Sequence, residues 1–357
     1  MRKWSVLVLF VIFAMVFGAC AAPAAPAQPA APAAGAAETA TEAPAADAAA
    51  GQAEAAGGQP LLGIVSITPS DSSNARFIKG ATEAAKKLGW EVSVIDASGS
   101  ADQANAAFQN LAQRGAAAVI DLVFPTTSLG AGLAATKEAK IPVATWGGGL
   151  GNGMADGIVA TNGTGGPQAE EVIKQMVADM DGKGEVLALT YHTGQVCRER
   201  EEVFDKIVAE YPDIKVTKNE VPIPGYLQAG AQFASAWLAG RPEGQANYAV
   251  WGCWDDPALG AISTLKQQNR PDVKVYGTNG NVDAIVAVQD GWMTATAWAA
   301  VEDEGRVLVE TIDEAIKAGD KWEAKAVEVP VKVVNKDTIK AFLAEHPEAA
   351  DPNALQK

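Results

Sequence analysis

The strongest constraint on the fold of this chain is an alternation of short β-rich runs and amphipathic segments that begins at Leu61. In the first amphipathic segment, apolar residues recur at helical spacing from Phe77 to Leu88, and Gly89 ends the pattern. Strands that alternate with helices of roughly 10 to 15 residues form βαβ units, which build a parallel sheet. The first series predicts strands at 61–67, 91–95, 117–123 and 141–145, and helices at 77–88, 103–113 and 128–140.

The same alternation starts again after a glycine-rich stretch from Gly147 to Gly166. The fold class is therefore α/β, with two doubly wound parallel sheets joined near residue 163. Ligands of such sheets bind beyond the carboxyl ends of the strands. The second series predicts helices at 168–180, 198–210, 228–239, 257–268 and 282–289, and strands at 185–190, 214–221, 248–251, 273–276 and 293–297. A helix at 304–317, a strand at 326–334 and a helix at 336–345 remain to pack on one domain or on both.

The first twenty residues have the layout of a secretory signal. Arg2 and Lys3 precede the apolar residues 6–17, and small residues lead to Cys20. That apolar run is about 18 Å long as a helix, shorter than a bilayer core, although residues 18–22 could lengthen an uncleaved membrane anchor. The segment from Phe17 to Cys20 resembles a bacterial lipobox, which implies a signal peptide at 1–19 and lipidation of Cys20 at the outer face of the membrane.

Residues 20–60 are predicted to form a disordered tether behind the lipidated cysteine. Positions 21–59 contain 21 Ala and five Pro, so they bury little surface and break helices. A flexible chain of this length has an r.m.s. reach of about 35 Å. Such a segment would hold a folded body away from a membrane surface.

Charge and composition exclude several classes of function. The chain has 28 Lys and Arg against 43 Asp and Glu, a net charge of −15, which argues against nucleic-acid binding. Two His and three separated Cys argue against a Cys/His zinc cluster or catalysis by several histidines. The glycines at 147–153 lack the spacing of a nucleotide-binding loop. We therefore expect a binding protein without a metal or cofactor.

Three loops that follow strands of the second series carry a recognisable set of motifs. They read Trp-Asp-Asp-Pro-Ala-Leu-Gly-Ala-Ile at 254–262, Gly-Thr-Asn-Gly at 277–280 and Gln-Asp-Gly-Trp-Met-Thr-Ala-Thr at 289–296. In order and spacing they resemble the C-terminal half of the sugar-type substrate-binding proteins of ABC transporters, the ribose/galactose group. Arg-Glu-Arg at 198–200, followed by Phe204, and Gly-Ala at 80–81 extend the resemblance, which covers essentially all of residues 61–335.

The resemblance implies the type I periplasmic-binding-protein fold. In that family, ligand binds in a cleft between two lobes that close around it, and the chain crosses between the lobes three times. The crossings would lie near 162–163, 298–299 and 327–329. The first lobe would then comprise residues 61–163 and 299–328, and the second lobe residues 164–298 and 329–357.

The same resemblance implies ligand contacts in the second lobe. Arg198 aligns with an arginine that binds ligand hydroxyls, and Asp255 with an aspartate that does the same. Arginine offers several donors and a carboxylate several acceptors, and a sugar hydroxyl uses both. Trp254, Asn279 and Trp298 occupy positions where the family has Asn, Asp and Gln, respectively.

The first lobe departs further from the family pattern. Gly147 and Gly148 replace the usual Asp-Arg pair after the fourth strand, so the remaining candidates for ligand contact are Asp71, Arg76, Phe124 and Trp146. The pocket is expected to be more aromatic than a ribose site. Indole faces with a few polar groups suit a larger sugar, a sugar derivative or a nucleoside.

Other interpretations of these residues remain open in the sequence. Asp255 could cap the helix that begins there, Arg198 could lie on a helix surface, and the Trp residues could belong to the core. A lone His192 is more often a wall residue than a catalyst. Cys197 and Cys253 could form a disulfide, which the sequence cannot test.

The function expected from the sequence is capture of a sugar-like ligand and its delivery to an ABC permease, by a protein that is not an enzyme, is a monomer and meets the membrane only through its lipid. A receptor of the same fold that feeds a chemoreceptor or sensor kinase is the alternative. A secreted α/β enzyme is more remote, because only His192 and the pair Asp255 and Asp256 could supply its titratable groups.

Overall fold

The computed structural model describes residues 58–163 and 165–353, and it contains the two predicted α/β lobes. In the first lobe a six-stranded sheet has the order β11-β5-β4-β3-β1-β2, and the pairings are parallel. Its strands are β1 Leu61–Ser66, β2 Glu91–Asp96, β3 Ala118–Leu122, β4 Val143–Trp146, β5 Ile158–Asn162 and β11 Lys325–Val327. Its helices are α1 Ser72–Lys87, α2 Ala101–Gln113, α3 Gly130–Glu138 and α9 Val301–Ala318.

The second lobe repeats this build with a sheet of order β12-β10-β9-β8-β6-β7. Only its edge strand β12 runs antiparallel, against β10. The strands are β6 Gly184–Thr190, β7 Ile214–Glu220, β8 Tyr248–Gly252, β9 Lys274–Asn279, β10 Ala295–Ala299 and β12 Val331–Asn335. The helices are α4 Gly166–Asp179, α5 Gln195–Val208, α6 Tyr226–Leu238, α7 Asp255–Gln267, α8 Val282–Gln289 and α10 Ile339–Glu345.

The core of each lobe lies on both faces of its sheet. Every residue of the central strands β1, β3, β4 and β8 is buried, as expected for parallel strands that are covered by helices on both sides. The edge strand β2 is more open, with only half-buried and exposed positions. The fully buried strands are therefore inner strands of the two sheets, whereas the predicted strands 91–95 and 214–221 are edge strands.

Two details of the sheets differ from the sequence prediction. The glycine-rich stretch 147–166 contains a strand, β5, whose β-branched residues Ile158 and Thr161 pair with Val143 and Thr145 of β4. The stretch predicted as one strand at 326–334 is two strands, β11 and β12, which join different sheets. Pro330 separates them, and proline has no N–H to donate to a sheet.

The chain passes between the lobes three times in the described residues. It leaves the first sheet after β5, returns from β10 into α9, and leaves again between β11 and β12. Helix α9 belongs with the first lobe because it packs along α1. At this contact a Cβ on Gly80 would lie only 1.9 Å from the carbonyl oxygen of Glu302, so the two helices can approach this closely only with glycine there.

Between residues 58 and 353, with Thr164 set aside, no helix combines the length and the apolar character needed to cross a bilayer. The predicted signal peptide, Cys20 and almost all of the predicted tether lie outside the described residues.

Candidate functional site

A narrow cavity lies between the two lobes, where the loops after their strands meet. Its volume of about 40 Å³ is small beside ligand pockets of roughly 300–1,000 Å³, so the lobes are closed against each other. The first lobe contributes Ile67, Thr68, Asp71, Ser73, Asn74, Val123 and Trp146. The second lobe contributes Tyr191, Val196, Cys197, Arg200, Ile223, Trp254 and Asn279.

Asp71 connects the lobes at the first turn of α1. It is the N-cap of that helix, and its Oδ1 accepts hydrogen bonds from the backbone N–H groups of Ser73 (3.0 Å) and Asn74 (3.2 Å). Its Oδ2 accepts a hydrogen bond of 3.0 Å from Nε1 of Trp254, in the opposite lobe. Of the residues predicted from the sequence, Asp71 and Trp254 are thus in direct contact.

Arg200 is the arginine that lines the cavity, whereas Arg198, predicted as a ligand contact, does not line it, and its ligand role stays a prediction. The buried face of α5 carries Val196, Arg200 and Phe204 at a spacing of four residues. Arg198 is off that face, is only half-buried and donates to Oε1 of Gln195 (2.6 Å), and it does not line the cavity. The spacing from Phe204 was the signal in the sequence that could have identified Arg200.

Acceptors from several elements, among them the following, hold the Arg200 guanidinium in place. It donates to the carbonyl oxygen of Cys253 (2.7 Å), to Oε1 of Gln168 (2.6 Å) and to Oδ1 of Asn279 (2.9 Å). Desolvation lowers the pKa of Arg200 to about 10, against the attraction of Asp255 and other nearby carboxyl groups, so it remains a cation at neutral pH. Asn279 lines the cavity, as predicted.

Asp255 does not line the cavity, so its ligand contact stays a prediction, whereas the alternative that it caps α7 is wrong. Trp254 is the N-cap residue, and Asp255 is the first residue of the helix. The Asp255 carboxylate accepts from the backbone N–H of Asn281 (2.8 Å) and from Oγ1 of Thr296 (2.7 Å). Burial raises the pKa of Asp255 to about 7, although these two hydrogen bonds lower it. Asp255 therefore holds the loop after β9 and strand β10 in place.

Asp256, which the sequence analysis did not select as a ligand contact, reaches the first lobe. Its Oδ2 accepts from the backbone N–H of Ser72 at 3.4 Å, and its Oδ1 accepts from Nδ2 of Asn281 at 3.3 Å. Both Asp71 and Asp256 thus lie at the N-terminus of α1, where the helix dipole favours negative charge. Burial and the neighbouring Asp71 carboxylate raise the pKa of Asp256 well above its ordinary value.

Arg76 binds between the lobes and does not line the cavity, so its predicted ligand contact stays a prediction. Its guanidinium forms two hydrogen bonds with the Glu302 carboxylate, of 3.0 and 2.9 Å. It also donates to the carbonyl oxygens of Asn279 and Gly280, at 3.2 Å each, and of Ala299, at 3.0 Å. Arg76 therefore ties α1 to the second lobe and to the start of the second crossing.

The three aromatic predictions have different outcomes. Trp146 lines the cavity, and its Nε1 donates to Oε2 of Glu304 at 2.8 Å. Phe124 is fully buried in the first lobe, and it is its neighbour Val123 that reaches the cavity. Trp298 lies against Phe342 and His346, at ring distances of 5.1 and 4.5 Å, away from the cavity. Phe124 is therefore a packing residue in this structure, whereas Trp298 packs against α10 and also lines a second space beside Arg76 and Glu302.

His192 does not reach the cavity either, and Tyr191 beside it does. The His192 ring lies between Glu201 (2.8 Å) and Glu220 (3.1 Å) and is about half exposed. Despite partial desolvation, hydrogen bonds to these two carboxylates raise the pKa of His192.

Cys197 and Cys253 form a disulfide, with a Cα–Cα distance of 5.3 Å. It joins the first turn of α5 to the residue after β8, in the wall of the cavity. Within 58–163 and 165–353, no three His, Cys, Asp or Glu side chains are grouped so that they could share a metal ion.

Comparisons with known proteins agree with this architecture. The family model for a periplasmic binding protein domain matches residues 63–321. The ribose import binding protein of Salmonella typhimurium is 31% identical over 280 residues, which cover 76% of this chain and 90% of that protein. The xylitol-binding protein of Mycolicibacterium smegmatis is 28% identical over 219 residues, 59% of this chain and 58% of that protein.

Solved structures show the same fold at lower identity. An ABC transporter solute binding protein from Agrobacterium vitis, with bound allitol, superimposes with a TM-score of 0.72 at 22% identity, over 80% of this chain and 99% of that one. A galactofuranose binding protein gives a TM-score of 0.73 at 17% identity, over 82% and 100% of the two chains. With two parallel-sheet lobes, three crossings and a cleft between them, this chain belongs to the periplasmic binding protein family and has its type I fold.

Proposed function

We propose that this protein captures a sugar or sugar alcohol between its two lobes and delivers it to an ABC importer. The observation that carries the proposal is that one cavity is lined by polar and aromatic side chains from both lobes. Relatives named for ribose import and xylitol binding, and a neighbour that holds allitol, support this class of ligand.

The chemistry of the cavity suits a polyhydroxylated molecule. Arg200 supplies donors, Asp71 supplies acceptors, and Asn279 can supply both. Trp146 and Trp254 supply indole faces, against which the C–H face of a sugar can pack. A ligand would replace some of the present contacts between the lobes with contacts of its own.

Ligand capture in this geometry couples to movement of the lobes. The cavity is too small to admit a sugar while the lobes remain as they are, so the lobes must separate before binding. A ligand that touches both lobes binds the closed form more tightly than the open form and shifts the population toward it. The closed form would be the one that docks on the permease. We propose no catalytic step, since the cavity residues are accounted for as ligand contacts.

A thermal-shift screen tests the proposal. The purified protein is heated with sugars, sugar alcohols, nucleosides and amino acids, and a ligand at a hundredfold excess over its Kd should stabilise it by about 2.7 kcal/mol. We expect the stabilisers to be sugars or sugar alcohols, recovered chemically unchanged. Stabilisation by a nucleoside or an amino acid alone would overturn the ligand class, and a wholly silent panel would overturn the binding proposal.

A matched pair of variants locates the site. Arg200→Lys keeps the charge but loses the geometry of several donors, so it should raise the Kd of the stabilising sugar at least about tenfold. Arg198→Lys makes the same change two residues away, outside the cavity, and should leave the Kd unchanged. Equal effects of the two variants would contradict the assignment of the cavity.

We also propose that Cys20 carries the lipid that keeps the protein at the outer face of the membrane. The signal-like residues before it and the Ala- and Pro-rich segment behind it support this arrangement. Palmitate labelling should mark the wild type and not Cys20→Ser, and the variant should leave the membrane fraction.

Delivery to an importer predicts that deleting the gene abolishes uptake of the stabilising sugar. Normal uptake with lost chemotaxis toward that sugar would favour a receptor instead.

A further inference from the structure

The Cys197–Cys253 disulfide connects two segments that each carry a cavity residue. Cys197 lies in the first turn of α5, one turn before Arg200, and itself lines the cavity. Cys253 follows β8 directly and precedes Trp254. Both cysteines are buried, at 3% and 0% exposure. The covalent bond therefore spans the gap between the segment of Arg200 and the segment of Trp254.

Each of these two side chains depends on the backbone next to the disulfide. Arg200 donates to the carbonyl oxygen of Cys253 at 2.7 Å, so the position of this residue sets one of the guanidinium contacts. Trp254 donates to Asp71 of the first lobe at 3.0 Å, so the same short loop also sets a contact between the lobes. A shift of Cys253 would displace both groups at once.

We propose that the Cys197–Cys253 disulfide is a positioning element of the binding cleft, which keeps Arg200 and Trp254 in fixed relative positions before ligand arrives. The inference rests on the proposed binding function. Groups that are already ordered lose less conformational entropy when they bind, and this raises affinity. Opening the disulfide takes two electrons and two protons and leaves two thiols, after which no covalent bond holds residues 253–254 against the start of α5.

The effect should be local. Trp254 still packs against Tyr191 and Tyr226, with ring centroids 6.1 and 5.6 Å away. The pairing of β8 with its neighbours ends at Gly252, and the backbone N–H of Cys253 donates to the carbonyl oxygen of Leu189 at 3.0 Å, a contact that does not need the disulfide. Both lobes should therefore stay folded without the disulfide. The expected consequence is a looser cleft wall in a folded protein.

Amide hydrogen exchange tests this without any ligand. We would compare the oxidised protein, the same protein reduced by dithiothreitol, which itself becomes a cyclic disulfide, and the Cys197→Ser/Cys253→Ser variant. Exchange in peptides covering 195–201 and 252–257 should be at least about tenfold faster in both forms without the disulfide, and unchanged in 118–122. Dithiothreitol should not affect the double variant further. Unchanged exchange at 195–201 and 252–257 would overturn the proposal.

Titration calorimetry with D-ribose, xylitol and D-allose then tests the consequence for binding. The Kd of whichever probe binds should rise about tenfold in the reduced protein and in the double variant, at a temperature where every form is folded. Equal Kd values would overturn the positioning role even if exchange changes. Binding of none of the three to the oxidised protein would count against the proposed ligand class, whereas the exchange experiment would still decide on the disulfide.

Discussion

Trp254 has two separable roles, one through its ring and one through its indole nitrogen. The ring packs between Tyr191 and Tyr226, and Nε1 donates to the Asp71 carboxylate across the cleft. A hydrogen bond to a charged group contributes roughly 1.5–3 kcal/mol, more than one between neutral groups. The nitrogen therefore contributes to closure of the lobes, while the ring belongs to the wall of the cavity.

Trp254→Phe separates these roles. It keeps an aromatic ring and removes the donor to Asp71, so the closed form should lose about 2 kcal/mol and the Kd of a bound sugar should rise roughly tenfold or more. Titration calorimetry measures the change. Trp237→Phe is the matched control, because the indole nitrogen of Trp237 is buried and has no hydrogen-bond partner among the described residues. A Kd unaltered by Trp254→Phe would show that this hydrogen bond does not contribute to closure.

Glu304 links stability to pH. Burial raises the pKa of Glu304 to about 7, although the hydrogen bond from Trp146 and the charges of Arg76 and Arg200 lower it. An acid whose pKa is higher in the folded state than its unfolded value of about 4.3 binds its proton more tightly when folded. The favourable contribution of Glu304 to folding stability is present at low pH and is lost as pH rises from about 4.3 to about 7.

Glu304→Gln should remove this dependence and keep the acceptor for Trp146. In urea denaturation, the stability of the variant relative to the wild type should increase by up to about 3 kcal/mol between acidic and mildly alkaline pH. Glu302→Gln, on the same helix, is a control of opposite sign. Burial acts to raise the pKa of Glu302, but the hydrogen bonds and charge of Arg76 lower it, and the net shift is downward. The wild type should therefore become more stable relative to Glu302→Gln as pH rises. Parallel curves for the wild type and Glu304→Gln would contradict the argument.

At the residue scale the sequence located the right loops more reliably than the right side chains. Asp71, Trp146, Trp254 and Asn279 line the cavity as predicted, because loops after parallel strands converge at one edge. Arg200 lines the cavity and Arg198 does not, because a shift of two residues turns a side chain to another face of a helix. Four other predicted contacts do not line the cavity: Phe124 after β3, Asp255 at the start of α7, Arg76 in α1 and Trp298 in β10. Packing against the other elements decides what each of these side chains touches.

At the scale of elements, the joint between α1 and α9 fixes the returning chain to the first lobe. A Cβ on Gly80 would lie 1.9 Å from the Glu302 carbonyl oxygen, and one on Gly305 would lie 2.3 Å from that of Phe77. Both obstacles are backbone atoms, which cannot move aside as a side chain can. The two glycines thus set the separation of the helices, and with it the position of Glu302 and Glu304.

Gly80→Ala should therefore destabilise the protein. Overpacking of a rigid contact typically costs about 1–3 kcal/mol, and here the added methyl group meets backbone. Gly130→Ala, at the start of α3, is the matched control, because no atom lies within 4 Å of its added Cβ, and alanine should be neutral or stabilising there. Urea denaturation of both variants distinguishes them. Equal midpoints would show that α1 and α9 can separate at little cost.

The order of helices and strands could be predicted from the sequence, except at two places where the strands are too short to show a clear pattern. Strand β5 was missed because its five residues lie inside a glycine-rich stretch. The strand predicted at 326–334 had the right composition, but its division at Pro330 depends on two sheets that no local pattern describes. Long periodic segments, such as α1 and α5, were recovered because one face of each is buried.

At the scale of the whole molecule, closure of the lobes is the property on which binding depends. Arg76 contributes to it from α1, since its guanidinium donates to the carbonyl oxygens of Asn279 and Gly280 in the second lobe. Its other partners, Glu302 and Ala299, lie at the second crossing between the lobes. The side chain is therefore a clasp close to the crossing, outside the cavity itself.

Arg76→Met should shift the protein toward open forms. Methionine keeps the aliphatic bulk but leaves several acceptors without their donor, and losing one partner of a buried charged contact costs about 2–5 kcal/mol. Small-angle X-ray scattering should show a larger radius of gyration than in the wild type. The apparent Kd should rise as the fraction of molecules that can adopt the closed form falls, because it is the intrinsic Kd divided by that fraction.

The control for Arg76→Met is Arg306→Met, which removes an arginine from the exposed face of α9, where it pairs with Asp303 and Glu310. That variant should scatter as the wild type does, because exposed ion pairs contribute roughly 0–1 kcal/mol and these lie within a single helix. A saturating sugar should return the radius of gyration of Arg76→Met to that of the wild type. Ligand contacts with both lobes favour closure even when Arg76 is absent. If Arg76→Met and the wild type give the same scattering without sugar, Arg76 holds the crossing in place but does not set the balance between open and closed lobes.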